Sequence, residues 1–188
     1  MSEWRIHTSC LTDAVGQLHA GDRVLLTGTI YTARDAAHKR LFELLDKEEP
    51  LPLPIRGAVI YYAGPTPGQQ GMAVGACGPT TASRMNKFAP RLLDLGLTGI
   101  IGKGEMSEEV QQAIILNSAC YFAAVGGAGA LIAKCIKSAE VIAFEDLGCE
   151  SIKRMEVEDL PLTVAMDCNG GNLYRTGREQ YCRIENGK

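Results

Sequence analysis

No stretch of this sequence stays apolar over the ~20 residues that a membrane span needs. No sign of charge dominates it either. Lys and Arg number 19 against 22 Asp and Glu, a formal net charge of −3. Nucleic-acid binders normally show a basic excess, so that class is set aside. Histidine is scarce: three residues without ligand spacing give no zinc site. The amino terminus, Met1-Ser2-Glu3-Trp4-Arg5, has no charged-then-apolar signal segment, so the expected compartment is the cytoplasm. Internal repeats, low-complexity segments and interdomain linkers are absent too. Cysteine is plentiful, at 10, 77, 120, 135, 149, 168 and 182, but never as C-x-x-C. An odd count in a reducing compartment forms no complete disulfide framework, and free cysteine is mostly a small buried hydrophobe.

What is present describes an ordinary globular chain. At 188 residues it suits one domain, 1–188, with a frayed tail near 183–188. Hydrophobic residues make up 46% and charged residues 22%, which argues against disorder. Strands are expected at 23–31, 57–63, 72–77, 98–102, 119–125, 139–144 and 162–166. Helices are expected between them. One starts at a Thr32 cap, with Asp35 three residues on, and runs through Ala37, Leu41, Leu44 and Leu45. A second opens at Gly78-Pro79-Thr80-Thr81, with Met85, Phe88, Leu92 and Leu95 as its apolar face. Others follow Ser107 and span 129–135. Strands alternating with helices give an α/β class.

Nucleotide-binding motifs fail on inspection. After Gly127-Ala128-Gly129, the third glycine of G-x-G-x-x-G would fall at Ile132. Gly102-Lys103 is followed by Gly104 rather than Ser or Thr, and position 97 is Leu, so there is no Walker loop. No Ser-His-Asp or Cys-His arrangement can be read.

Three polar clusters at strand ends remain. They are Thr32-Ala33-Arg34-Asp35 with His38, Lys39 and Arg40; Gly78 to Thr81 with Arg84; and Gly102-Lys103-Gly104-Glu105. In open α/β sheets, crevices lie past strand ends and helix N-termini point N–H groups into them. Thr80 and Arg84 share a helix face if that turn is helical. Several cations and a hydroxyl in such places suit a small dicarboxylate, which arginine can grip with two parallel hydrogen bonds. Each residue also has a plainer reading. Arg34 and Lys103 could be solvated, Thr80 or Thr81 could be a helix cap, and His38 could be packing. Asp167 and Asn172 are good turn formers.

Together the clusters are more specific than any one. Gly28 to Leu41, Gly64-Pro65, Gly78-Pro79-Thr80-Thr81-Ala82-Ser83-Arg84-Met85 and Gly102-Lys103-Gly104 occur in that order. They resemble the β subunit of class I iron–sulfur fumarate hydratase. That segment is also the C-terminal domain of single-chain class I fumarases and the β subunit of L(+)-tartrate dehydratase. The resemblance runs from about Thr12 to about Tyr174, and Asp167 to Asn172 is similar to the family's D-x-x-G-x-N turn.

The resemblance implies a swivelling β/β/α domain and a hydro-lyase interconverting fumarate and (S)-malate. It implies a [4Fe–4S] cluster held by three cysteines of a separate α subunit, with no metal bound by this chain. It implies a hetero-oligomer in which the β subunit closes over the cluster. Arg34, Arg84, Lys103 and Thr81 would bind the dicarboxylate. Thr80 would be the base, activated by an aspartate of the α subunit. The alternatives are a tartrate dehydratase β subunit, or a non-catalytic partner of the same fold. Keeping Arg34, Thr80, Arg84 and Lys103 together argues against the last.

Overall fold

The computed structural model describes residues 2–69 and 71–185, apart from the side chains of 180–185. The strands are β1 (Glu3–His7), β2 (Arg23–Thr32), β3 (Val59–Tyr61), β4 (Gly99–Gly102), β5 (Cys120–Ala123), β6 (Ile136–Ala143) and β7 (Ile152–Met166). The helices are α1 (Leu11–Ala14), α2 (Asp35–Asp46), α3 (Ala89–Asp94), α4 (Glu108–Leu116), α5 (Gly129–Cys135) and α6 (Leu173–Glu185).

All seven strands share one sheet, in the order β1-β2-β3-β4-β5-β7-β6, and β2 also pairs with β7. That extra pairing closes a ring: β2, β3, β4 and β5 run parallel, and β7 returns antiparallel between β5 and β2. Side chains alternate across a strand, so the ring sorts its apolar residues into two sets. Val24, Leu26, Ile30, Val59, Tyr61, Ile101, Phe122, Leu160, Leu162 and Val164 belong to the inward set, with Leu11 of α1, Val15 just after it and Ile132 of α5 packed against them. The intervening residues Ile60, Ile100 and Tyr121 face outward and meet α2, α3 and α4 through Leu41, Leu92, Val110 and Ile114. The central parallel strands β3, β4 and β5 are thus buried on both faces.

Gly28 makes the long β2 possible. Its φ is +114°, and the β2–β7 register shifts between Leu26 and Gly28. A side chain there would overlap Thr8 Oγ1, and the position favours glycine on conformation alone.

The α/β class stands, but several local expectations do not. Thr32 does not cap α2; Arg34 holds that backbone position without a side-chain bond. The buried Thr32 hydroxyl instead donates to the Ser151 carbonyl at 3.2 Å and accepts from Lys153 N–H at 3.0 Å, tying β2 to β7. Residues 72–77 form no strand. Their backbone bonds go to the loop at Thr66 and to Gly129, not to a neighbouring strand. The segment after Gly78 is not one helix either. A single 3₁₀ turn, Ala82–Met85, precedes α3, and Leu95 is 40% exposed while Met85, Phe88 and Leu92 are buried. Thr80 lies before that turn, so it shares no helix face with Arg84. Ser107 stands at the start of α4, but its hydroxyl makes no cap bond. α6 runs to Glu185, and residues 186–188 of the expected frayed tail lie outside the described residues. Among the described residues, no helix is long and apolar enough to cross a membrane.

Candidate active site

Arg34 follows β2 directly, with extended backbone at the head of α2. Its side chain is 21% exposed and lies against Gly64, where an added Cβ would come within 2.8 Å of Nη1. Glycine at 64 therefore opens the space that the guanidinium fills. Nη2 of Arg34 is 3.5 Å from Glu150 Oε1. The other carboxylate oxygen of Glu150 accepts the Ala36 N–H at 3.2 Å, one of the free donors at a helix start. Nε of Arg34 is buried with no partner among the described residues.

His38 pins the Arg34 backbone. A carbonyl can only accept, so the ring proton is on Nδ1 and is donated to the Arg34 oxygen at 2.8 Å. The ring stacks on Phe88 and meets Tyr62 edge-on, both at 5.4 Å between centroids. Burial holds the His38 pKa down at about 4, outweighing the bond to Arg34 that favours the proton. The neutral ring therefore packs and positions.

A stability prediction follows from that pKa. Between pH 6.5 and 4 the unfolded chain takes up a proton at His38 that the folded chain refuses. The contribution is complete above 6.5 and is lost as pH falls toward 4, about 3 kcal/mol over the whole span. Chemical denaturation of wild type and His38→Leu at pH 7 and pH 5 checks it. An extra loss of about 2 kcal/mol on acidification is expected in wild type only. Equal losses in both would contradict it.

Thr80 is laced between the ends of β3 and β4. Its N–H donates to the Tyr62 carbonyl at 2.6 Å, and its carbonyl accepts the Lys103 N–H at 3.2 Å. Ala82 N–H then returns to the Lys103 carbonyl at 2.8 Å. These bonds set Thr81 beside Lys103, whose ammonium donates to the Thr81 hydroxyl at 3.2 Å. Tyr121 supports the same turn, its hydroxyl donating to the Gly104 carbonyl at 2.7 Å.

Arg84, in the 3₁₀ turn, reaches Asp35 at the start of α2. Nε donates to Oδ1 at 3.1 Å and Nη2 lies 2.6 Å from Oδ2. This pair joins the Arg34 and Thr80 regions, so Arg34, Thr80, Thr81, Arg84 and Lys103 form one patch past the C-terminal ends of β2, β3 and β4. Sequence reasoning missed three supports here. Glu150 is 114 residues from the amide it caps and left no local signal. Tyr121 read only as a strand residue. Asp35 stood in the Arg34 cluster but was assigned to capping.

Asp167 is a turn residue, as expected. Its carboxylate accepts the N–H groups of Ala20, Asn169 and Gly171 at 2.6–2.8 Å. Of four well-formed grooves on the described surface, none is lined by Arg34, Thr80, Arg84 or Lys103.

Residues 2–177 match the protein family described as Fumarase C-terminus. The chain belongs to that family. It is 38% identical over 162 residues to fumarate hydratase 2 of Leishmania major, covering 85% of this chain and 28% of the relative. It is 37% identical over 163 residues to the aerobic class I fumarate hydratase of Escherichia coli K12, covering 86% and 30%. A Methanocaldococcus jannaschii protein, provisionally named L(+)-tartrate dehydratase subunit beta, is 37% identical over 166 residues and is covered over 85% of both chains. This fumarase C-terminus chain thus spans under a third of the fumarate hydratases it matches, and most of the tartrate dehydratase subunit.

The iron–sulfur cluster that the sequence resemblance implies invites a test of the cysteines. Cys77 and Cys120 are fully buried, and burial pushes both thiols up, Cys77 to about 12. Burial also raises the Cys135 and Cys168 thiols. Among the described residues, no three His, Cys, Asp or Glu side chains come together to hold a metal.

Proposed function

We propose that this chain is the β-type half of a two-part hydro-lyase that interconverts fumarate and (S)-malate. The single observation behind the reading is the patch of Arg34, Thr80, Arg84 and Lys103, in a chain of the fumarase C-terminus family. We assign the ring of strands to the swivelling β/β/α class, the enzyme to the cytoplasm, and the [4Fe–4S] cluster to a separate α-type subunit. The chemistry assigned to this chain is that of its own side chains.

Three cations, Arg34, Arg84 and Lys103, stand with two carboxylates, Asp35 and Glu150, leaving one net positive charge. A dicarboxylate brings two negative charges. The balance is the α subunit's share. On this side Arg34, Arg84 and Lys103 bind carboxylate, and Thr81 steadies Lys103. As the proton leaves the carbon next to a carboxylate, charge builds on that carboxylate. Fixed cations then stabilise the transition state more than the ground state. Thr80 takes the proton, and the C–O bond of the neighbouring carbon breaks; the cluster of the α subunit would supply the Lewis acid that receives the departing hydroxyl. A threonine hydroxyl is a weak base unaided, so an acidic group of the partner must activate it.

A second reading has its own support: one of the relatives, 37% identical to this chain, is named as a tartrate dehydratase subunit. Tartrate carries one more hydroxyl than malate. A site built to hydrogen-bond it would reject malate strongly, because its polar group would be left unpaired. The polar side chains left over in the Gly78–Met85 and Gly102–Glu105 segments are Ser83 and Glu105, and Glu105 is already paired with Arg178 at 3.0 Å. The test is kcat/KM of the assembled complex for fumarate, malate and both tartrate enantiomers. Fumarate and malate are expected to lead; a clear preference for L-tartrate would move the substrate and leave the residue roles standing. No turnover of any of them in a fully loaded complex would support a non-catalytic subunit.

A further inference from the structure

Asp35 is not among the residues assigned to substrate, yet it holds one of them. Its carboxylate takes Arg84 from the side, through Nε at 3.1 Å and Nη2 at 2.6 Å. A guanidinium carries five N–H donors in one fixed plane. The Nε hydrogen is donated to Oδ1, while Nη2 stands against Oδ2 as an ion-pair contact without hydrogen-bond alignment, and Oδ2 is left buried with no hydrogen-bond partner among the described residues. The Nη1 and Nη2 hydrogens at the far end of the plane are not used by Asp35 and form the end-on fork that suits a second carboxylate. Arg84 is 48% exposed, so that fork is accessible, while Asp35 is only 27% exposed. Asp35 is itself well anchored. It opens the 12-residue α2, and the preceding carbonyl is held by the buried His38.

Resting on the functional reading above, we propose that Asp35 is a positioning residue that locks Arg84 with its end-on fork presented to a substrate carboxylate. Asp35 also cancels the charge of Arg84. By charge alone it would weaken dicarboxylate binding, so its benefit has to be geometric. A fixed fork loses less side-chain freedom when the substrate docks and when charge develops. The two effects have opposite signs, and this separates positioning from mere support of the fold. Removing the negative charge should leave ground-state affinity unchanged or tighter while turnover falls.

The experiment is a double-mutant cycle in the assembled complex: Asp35→Asn, Arg84→Lys and the pair. It reads fumarate hydration and inhibition by succinate, an unreactive dicarboxylate. Beside native Arg84, Asp35→Asn should lower kcat ~10-fold or more without weakening succinate. In the Arg84→Lys background it should cost under ~2-fold, because the fork is already gone. Should Asp35→Asn fail to assemble, Asp35→Glu takes its place. Its carboxylate sits one methylene further out, so it should cost ~5-fold beside Arg84 and under ~2-fold beside the substituted residue. Equal costs in both backgrounds would overturn the proposal, and so would a loss confined to thermal stability and succinate affinity. A parent complex that turns over no dicarboxylate would overturn the functional reading itself, and this proposal with it.

Discussion

Thr80→Ala in the assembled complex is expected to lower kcat by ~10²–10⁴-fold, the usual cost of removing a general base. The backbone of Thr80 makes the variant clean. Its N–H and carbonyl fix the segment between Tyr62 and Lys103, and neither is touched by truncating the side chain. Cluster content and assembly should stay as in wild type. Thr81→Ala should be milder. The Thr81 hydroxyl holds the Lys103 ammonium at 3.2 Å, so its loss loosens a cation rather than removing a base. Steady-state kinetics with parallel iron analysis check both. The reverse ranking would transfer the base to Thr81.

Arg84→Lys and Lys103→Met are expected to cost ~10–10²-fold in kcat/KM for fumarate, about the worth of one or two charged hydrogen bonds. A lysine at 84 keeps the charge but gives a point donor in place of a planar fork. It also cannot satisfy both Asp35 and a substrate carboxylate in one plane. Lys103→Met removes the cation that no carboxylate of the cluster is seen to pair. Its loss should fall on kcat as well as KM if the contact tightens as charge develops. Unchanged parameters in Arg84→Lys would make Arg84 a surface cation that serves only Asp35.

What could be read from the sequence followed local pattern. The strand at Arg23–Thr32 and the helix at Gly129–Cys135 were plain, because runs of apolar residues bounded by glycine and turn residues mark them. β1 left little trace, since only Ile6 of Glu3–His7 is buried. Only the last third of β7 was legible. Its first two thirds alternate buried residues with Lys, Arg, Glu and Asp, and its pairing partner β2 lies far back in the chain. Thr32 looked like a cap because its competing partners, Ser151 and Lys153, come from a distant strand. The site behaved in the same way. Arg34, Thr80, Arg84 and Lys103 stood out by type and order, each at the end of an apolar run. The contacts that join them do not follow sequence distance. Asp35 reaches Arg84 across 49 positions, and Glu150 reaches α2 from the far side of the chain. Such pairings are products of the closed ring, which brings β7 and the turn before it against β2.

The central claim is that this chain holds half of an active site. The most direct measurement is anaerobic purification of the chain alone and together with a cluster-bearing α subunit, with iron content and fumarate hydration read on both. The chain alone should be folded, colourless, free of stoichiometric iron and inactive, and activity should appear on assembly. Cluster iron in stoichiometric amount, or fumarate turnover by the chain without a second subunit, would contradict it.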